Sequence, residues 1–227
     1  MKNNYIDFSH HFGSDGPNAY FSLCDQDYSS INIRKRFVAN LGFDPSHLVV
    51  PNQVHSNKIK LVDKPCFIEN VDGIISKSRN IVLSILVADC IPLFLFNPTS
   101  KHFALVHSGW RGTDKNICLN VINKLKDQGG NSKDLLAIIG PSIGQCCFEV
   151  GSEVASKFDA CYSFNGKEDK MMLNLSNILK DQLIQSGVKR NNIFINKQCT
   201  YCETELFHSY RREGSSAGRM VAICGWH

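Results

Sequence analysis

The sequence predicts an α+β fold with mixed β-sheets, and three observations predict it. Nine short apolar runs read as strands, two of them flank a turn short enough for a hairpin, and hairpins are mixed with strand-helix-strand passages. Such a mixture places parallel and antiparallel neighbours side by side, with the helices outside. At 43% hydrophobic content, 227 residues bury a sizeable core. No low-complexity linker or repeat interrupts the chain, so residues 1–227 read as one domain.

The strand runs in chain order are HLVV (47–50), KIKLV (58–62), DGIIS (72–76), IVLSILVAD (81–89), PLFLF (92–96), HFALVHS (102–108), LLAIIG (135–140), NIFIN (192–196) and GRMVAIC (218–224). Between PLFLF and HFALVHS the segment NPTSK has the composition of a hairpin loop. A helix from Thr113 to Lys126 puts Ile117, Val121, Ile122 and Leu125 on one face, and Gly129 and Gly130 stop it. A second, from Leu175 to Gln185, aligns Leu175, Ile178, Leu179 and Leu183 before Gly187. A third covers Glu203 to Arg212.

Charge narrows the range of partners. The 25 basic and 21 acidic residues give +4 without a basic run or interleaved aromatics, which argues against nucleic acid and fits a mildly basic pocket for a phosphate-bearing small molecule. The N-terminus MKNNYIDFSHHFG lacks the apolar core of a secretory signal. The longest apolar run, residues 81–96, is broken by Asp89 and Pro92 and is too short for a bilayer. These features read as a soluble, cytoplasmic protein with no membrane partner. Ten cysteines lack the spacing of a disulfide framework, and several sit in apolar runs such as ICLNVI and VAICGW. Most are expected to be reduced and buried.

Three polar residues stand out in apolar or turn settings: His55 in PNQVHS, Cys90 in VADCIP and His107 in ALVHSGW. One thiolate and two imidazoles are a zinc set that leaves a fourth position open, the mark of a catalytic site. Zinc lowers the pKa of a bound water from about 15.7 to about 7, which suits a hydrolytic or deaminating enzyme. The spacing is not a compact ligand motif and is equally compatible with core or strand-end residues. Cys90 and His107 both end strands, and the SGWRG turn follows His107. There Gly109 and Gly112 permit close backbone approach, the helix start favours an anion, and Arg111 offers a forked donor for phosphate or carboxylate. A plain helix-entry turn with a solvated arginine has the same sequence.

The blocks NQVHSNKI, VADCIPLFLFNPTSKHFALVHSGWRGT, IGPSIGQCCFEVG, CTYC and SYRREGSSAGRM, in order from about residue 52 to 223, closely resemble the laccase-domain family, also called multicopper polyphenol oxidoreductases. Purine nucleoside phosphorylase and adenosine deaminase activities are assigned to the same family. The resemblance implies His55, Cys90 and His107 as zinc ligands and an α/β/β/α-type sandwich of mixed sheets, similar to a bacterial toxin's cysteine-hydrolase domain. It also implies a purine nucleoside and phosphate as substrates. Three soft and borderline ligands suit one zinc, whereas multicopper oxidation needs many more than eight scattered histidines.

Within that reading Cys90, His107 and Arg111 are the catalytic candidates. Arg219 in SSAGRM is a second phosphate contact, and Gln53, two residues before His55, is a contact for a base edge or sugar. The chain departs from the family near its N-terminus: His11 stands where an arginine of a TRxGG-like segment falls, and Cys24 replaces the asparagine of an SLN motif. A protonated His11 could still touch an anion, or be a surface histidine. Asp89 either orients a metal ligand or bonds to backbone, and strand alternation favours the backbone. Cys146 and Cys147 read as inert buried thiols, or one of them as approaching the pocket; the CxxC of Cys199 and Cys202 lacks a second pair for a zinc ribbon; Arg211 and Arg212 read as exposed or paired with acidic neighbours, and Glu149 as a surface residue.

Competing functions remain at this level. In a cysteine hydrolase Cys90 is the nucleophile and His107 its base, acting for instance on a cell-wall precursor in peptidoglycan editing, but His55 is then idle. A copper-dependent polyphenol oxidase and a non-enzymatic binding module with a retained zinc site are the others.

Overall fold

Ile91–Phe96 and Phe103–Ser108 are buried at every position. A strand covered on both faces needs apolar side chains on both, which is why neither run alternates with polar residues. The computed structural model, which describes residues 4–227, shows what covers them. The two strands form the expected hairpin across NPTSK, paired from Phe96 with Phe103 to Ile91 with Ser108. They are central in a mixed six-stranded sheet ordered Ile193–Ile195, Leu136–Ile139, Ile91–Phe96, Phe103–Ser108, Gly73–Ser76, Ile59–Leu61. A second sheet of six runs Tyr5–Asp7, Asn18–Ser22, Met220–Gly225, Val82–Val87, Leu48–Pro51, Phe67–Ile68.

Alternation along each strand divides its side chains between two cores. Phe94, Phe96, Phe103 and Leu105 of the hairpin meet Phe21, Leu83, Ile85 and Ala222 of the other sheet in the core between the sheets. The intervening Leu93, Leu95, Ala104 and Val106 pack outward under helices Ile117–Asp127 and Leu175–Gln185. On the far side Tyr20, Val82, Val221 and Ile223 pack against Phe37 and Val38 of helix Ile31–Asn40. The layers therefore run helix, sheet, sheet, helix, an α+β sandwich of mixed sheets. No helix among the described residues is long and apolar enough to cross a membrane.

The expected helix over Leu175–Gln185 is present with those bounds. The one expected over 113–126 is two pieces, Trp110–Asp114 and Ile117–Asp127, because Asn116 between them is left-handed at φ 56°. The third is corrected: the helix there is only Tyr210–Glu213, which overlaps the expected Glu203–Arg212 segment at its end. The Phe207 carbonyl and the Arg211 N–H, which a continuous helix would pair, bond instead to the Arg212 guanidinium and the Asp89 carboxylate. The expected burial of most cysteines is also corrected. All ten are free, but only Cys118, Cys199 and Cys224 are buried; the others lie largely at turns and strand ends.

Phe94 has no exposed surface in the core between the sheets. Phe94→Ala is expected to lower the unfolding free energy by about 3–5 kcal/mol in a denaturant titration. Phe164→Ala, at a ring 54% exposed, is expected to stay within about 0.5 kcal/mol.

Candidate metal centre

The chain passes between the two sheets at the rim of the sandwich, and the site is built from those crossings. Val82–Val87 belongs to one sheet and Ile91–Phe96 to the other, so residues 88–90 form one crossing and deliver Cys90. Asp89 turns the chain there in a left-handed conformation, φ 85°. Its carboxylate accepts from the Thr200 hydroxyl at 2.6 Å and the Arg211 backbone N–H at 2.7 Å. Asp89 thus anchors neighbouring loops, the quieter of its two expected roles. The loop between Leu48–Pro51 and Ile59–Leu61 is a second crossing and carries His55, itself left-handed at φ 56°. His107 stands opposite Pro92 in the hairpin.

One ligand atom from each of His55, Cys90 and His107 lies within 4.8 Å of the others. The two imidazoles meet edge to face, centroids 4.7 Å apart. Gly109 leaves room for them: a Cβ there would stand 2.8 Å from Cys90 Sγ and 3.4 Å from His55 Cδ2. A soft thiolate flanked by two imidazoles fits a zinc with an open position.

The residue that arranges the three was not singled out in the sequence. Asp72, fully buried, accepts from the His107 Nδ1 proton at 2.8 Å and from the backbone N–H groups of Val54 at 3.3 Å, His55 at 3.0 Å and Ser56 at 2.6 Å. The Ser56 hydroxyl adds a bond at 2.8 Å, and the Asp72 carbonyl accepts the His107 N–H at 2.7 Å. His107 therefore has Nδ1 occupied and Nε2 free for a metal. Its signal was the one carboxylate of the strand run DGIIS, which at the first position reads as an ordinary strand-end aspartate.

Burial alone would raise the Asp72 carboxyl, yet the hydrogen bonds from His107 and Ser56 hold it below its ordinary value. Burial would also raise the Cys90 thiol, but His107, by charge and hydrogen bond, and His55 after it bring it down to about 6. Burial works against a charged His107, and the Cys90 thiolate and Asp72 raise it to about 9. Without metal, the pair is thiolate and imidazolium at neutral pH.

The centre opens into a cleft of about 950 Å³, the size of a small-molecule site. Arg111 lines it, its guanidinium 4.3 Å from the Trp110 ring centroid. Arg219 lines it too, donating to the carbonyls of Ala217 and Gly218. Gln53 reaches the wall but uses its amide on Leu86, donating at 2.8 Å and accepting at 2.7 Å, as an extra rung between neighbouring strands. His11 is not among the residues lining the cleft: its ring stacks on Phe194, centroids 3.7 Å apart. Burial and neighbouring His10 hold it below the ordinary histidine value, which disfavours its charged form. Arg34, unremarked in the sequence, is a buried cation on the cleft wall, and its Nε has no partner among the described residues.

The family model described as multi-copper polyphenol oxidoreductase laccase matches residues 11–227. The chain belongs to this family. Two relatives bear enzyme names. Adenosine deaminase RL5, from an unknown prokaryotic organism, is 32% identical over 90% of this chain and 87% of its own length. Purine nucleoside phosphorylase YlmD of Bacillus subtilis strain 168 is 28% identical over 88% of this chain and 78% of its own. The crystal structure of YlmD from Geobacillus stearothermophilus superposes with a TM-score of 0.91 at 24% identity, covering 100% of this chain and 97% of that one. The sandwich is thus the fold of this laccase family.

Asp72→Asn is expected to weaken zinc binding by about 10- to 100-fold, as loss of a partner to a ligating histidine commonly does; competition with a chromogenic chelator measures it. In metal-free protein, the ultraviolet absorbance of the Cys90 thiolate should rise as pH increases through about 6. The difference spectrum against Cys90→Ala isolates it, and a midpoint near 9 would contradict the charge pairing.

Proposed function

We propose that the protein is a zinc-dependent enzyme of purine nucleosides, a phosphorylase with adenosine deaminase activity. The observation that carries this reading is the convergence of His55, Cys90 and His107 in a cleft whose lining also includes Arg34, Arg111, Arg211 and Arg219. The names of the two relatives support the substrate class. A zinc bound by His55, Cys90 and His107 supplies a polarising cation and an activated water near neutral pH.

The chain's own residues do the rest. Asp72 keeps the Nδ1 proton of His107 and so presents Nε2 to the site. In phosphorolysis a phosphate oxygen bonds to C1′ of the ribose, the bond from C1′ to the purine breaks, and the purine takes up a proton. Arg111 and Arg219 offer the cations that hold phosphate for this attack, a positioning role suited to guanidinium forks. In deamination water adds at C6 and ammonia leaves. The exposed rings of Phe67 and Tyr210 on the cleft wall are surfaces on which a flat base can lie.

A second reading is favoured by one observation, the low Cys90 thiol beside a raised His107, which also describes a cysteine hydrolase. Cys90→Ser distinguishes the two: it should lose the zinc of this centre and activity in the metal enzyme, and keep that zinc while losing activity in the hydrolase.

Adenosine incubated with the zinc-loaded protein should give inosine without phosphate. With phosphate it should give adenine or hypoxanthine plus ribose 1-phosphate. Arg111→Ala should raise the KM for phosphate about tenfold or more, the loss of a charge-assisted hydrogen bond. Chromatography that finds no purine product at high protein concentration would overturn the proposal.

A further inference from the structure

Four cysteines distant in the chain meet at a second place. Cys146 and Cys147 lie in the loop after Leu136–Ile139, and Cys199 and Cys202 in the loop after Ile193–Ile195. The sulfurs all lie within 4.8 Å of one another. Cys202 Sγ is 3.8 Å from Cys146 Sγ and 3.3 Å from Cys147 Sγ. The CxxC that lacked a second pair along the chain has one in space.

The geometry points to a second metal site, a zinc held by the thiolates of Cys146, Cys147, Cys199 and Cys202 that staples two loops of the cleft wall together. Zinc–sulfur bonds of about 2.3 Å place the corners of a tetrahedron about 3.8 Å apart. The sulfurs here, 3.3 and 3.8 Å apart at Cys202 and within 4.8 Å throughout, are close enough to settle onto such corners, and four-sulfur tetrahedra select zinc or iron. Polynuclear iron–sulfur clusters set their cysteines further apart.

The surroundings are built for such a site. The Gly144 N–H donates to Cys199 Sγ at 3.2 Å, and a Cβ at Gly144 would stand 3.2 Å from Cys146 Sγ and 3.4 Å from Cys199 Sγ. The two loops are already in register: Ser142 and Cys199 form a parallel bridge, and the Thr200 N–H donates to the Ser142 carbonyl at 3.1 Å. Four thiolates on one Zn²⁺ leave a net charge of −2, and two cations are placed beside it. Arg211 donates to the Cys147 carbonyl at 3.4 Å, and Arg212 to the carbonyls of Thr200 and Tyr201, both at 2.9 Å.

The site has a definite place in the architecture. Ile143, Phe148 and Glu149 on one loop and Tyr210 and Arg211 beyond the other line the cleft. Thr200 and Arg211 also hold Asp89, the neighbour of Cys90. A metal here fixes the wall without touching a substrate, and it binds whether or not the cleft acts on nucleosides.

Protein purified anaerobically from zinc-supplemented cells should contain about two zinc per chain by elemental analysis. His55→Ala/His107→Ala and Cys199→Ser/Cys202→Ser should each retain about one. Cobalt loaded into His55→Ala/His107→Ala should show the intense thiolate-to-cobalt band and visible d–d bands of a four-sulfur tetrahedron, so the assignment stands even if the cysteine variant fails to fold. All ten thiols should react after denaturation with chelator. A His55→Ala/His107→Ala protein that folds but binds neither zinc nor cobalt would overturn the proposal. So would a thiol titration about two short, with the missing pair mapped to Cys147 and Cys202 as a disulfide.

Discussion

The buried carboxylate of Asp72 is the constraint on which the centre depends. Removing an ion from water has an effective penalty of several kcal/mol, and it is offset here by charge-assisted hydrogen bonds of about 1.5–3 kcal/mol each. Those donors come from two places, the loop Val54–Ser56 and the imidazole of His107. One group thereby fixes a sheet-crossing loop, a left-handed histidine within it and the tautomer of a strand histidine. The carboxylate's need for donors and the metal's need for oriented ligands are met by the same residues.

The position of the centre follows from the sandwich. Strands covered on both faces leave no room for polar chemistry along their lengths, so it is displaced to the rim where the chain changes sheets. Cys90 and His55 are on two such crossings, and His107 is one residue from the end of its strand. The Cys90 thiol is half-buried while His55 is exposed, so the centre has one side in the core and one in the cleft. That placement explains the charge pairing. Low polarity behind Cys90 strengthens its attraction to His107, and the attraction outweighs the burial that opposes both charges.

Much of this was legible in the sequence because it is written in local patterns. The nine strand runs all correspond to strands, with ends shifted by a few residues, and Leu175–Gln185 declared itself by its apolar face and its glycine stop. Helix Ile31–Asn40 escaped because Arg34 occupies its buried face beside Phe37 and Val38, which blurs the periodicity. The short strands Glu149–Val150, Ser163–Asn165 and Met171–Leu173 are two or three residues long, too short to show a period. The trio His55, Cys90 and His107 was recognisable by residue chemistry, and the family resemblance selected it. Asp72 was not, because its role is set by partners from both sides along the chain. The pairing of Cys146 and Cys147 with Cys199 and Cys202 was hidden for the same reason: a contact between two loops leaves no trace in the spacing of either.

The arginines show how far residue type alone can mislead about function. Arg211 is exposed and Arg212 pairs with Glu213, as the sequence suggests, but both guanidiniums also donate to backbone carbonyls of the cysteine loops. Their work is to close turns and to offset charge there. Arg34 is the opposite case: its Nη2 donates to the Ser29 carbonyl at 3.3 Å, yet its Nε is unpartnered and no carboxylate pairs with it among the described residues. A buried guanidinium without a counter-charge is destabilising, and burial does depress its pKa. An anion in the cleft would remove part of that penalty, so the same desolvation that weakens the free protein would strengthen its hold on any anionic ligand that reached Arg34.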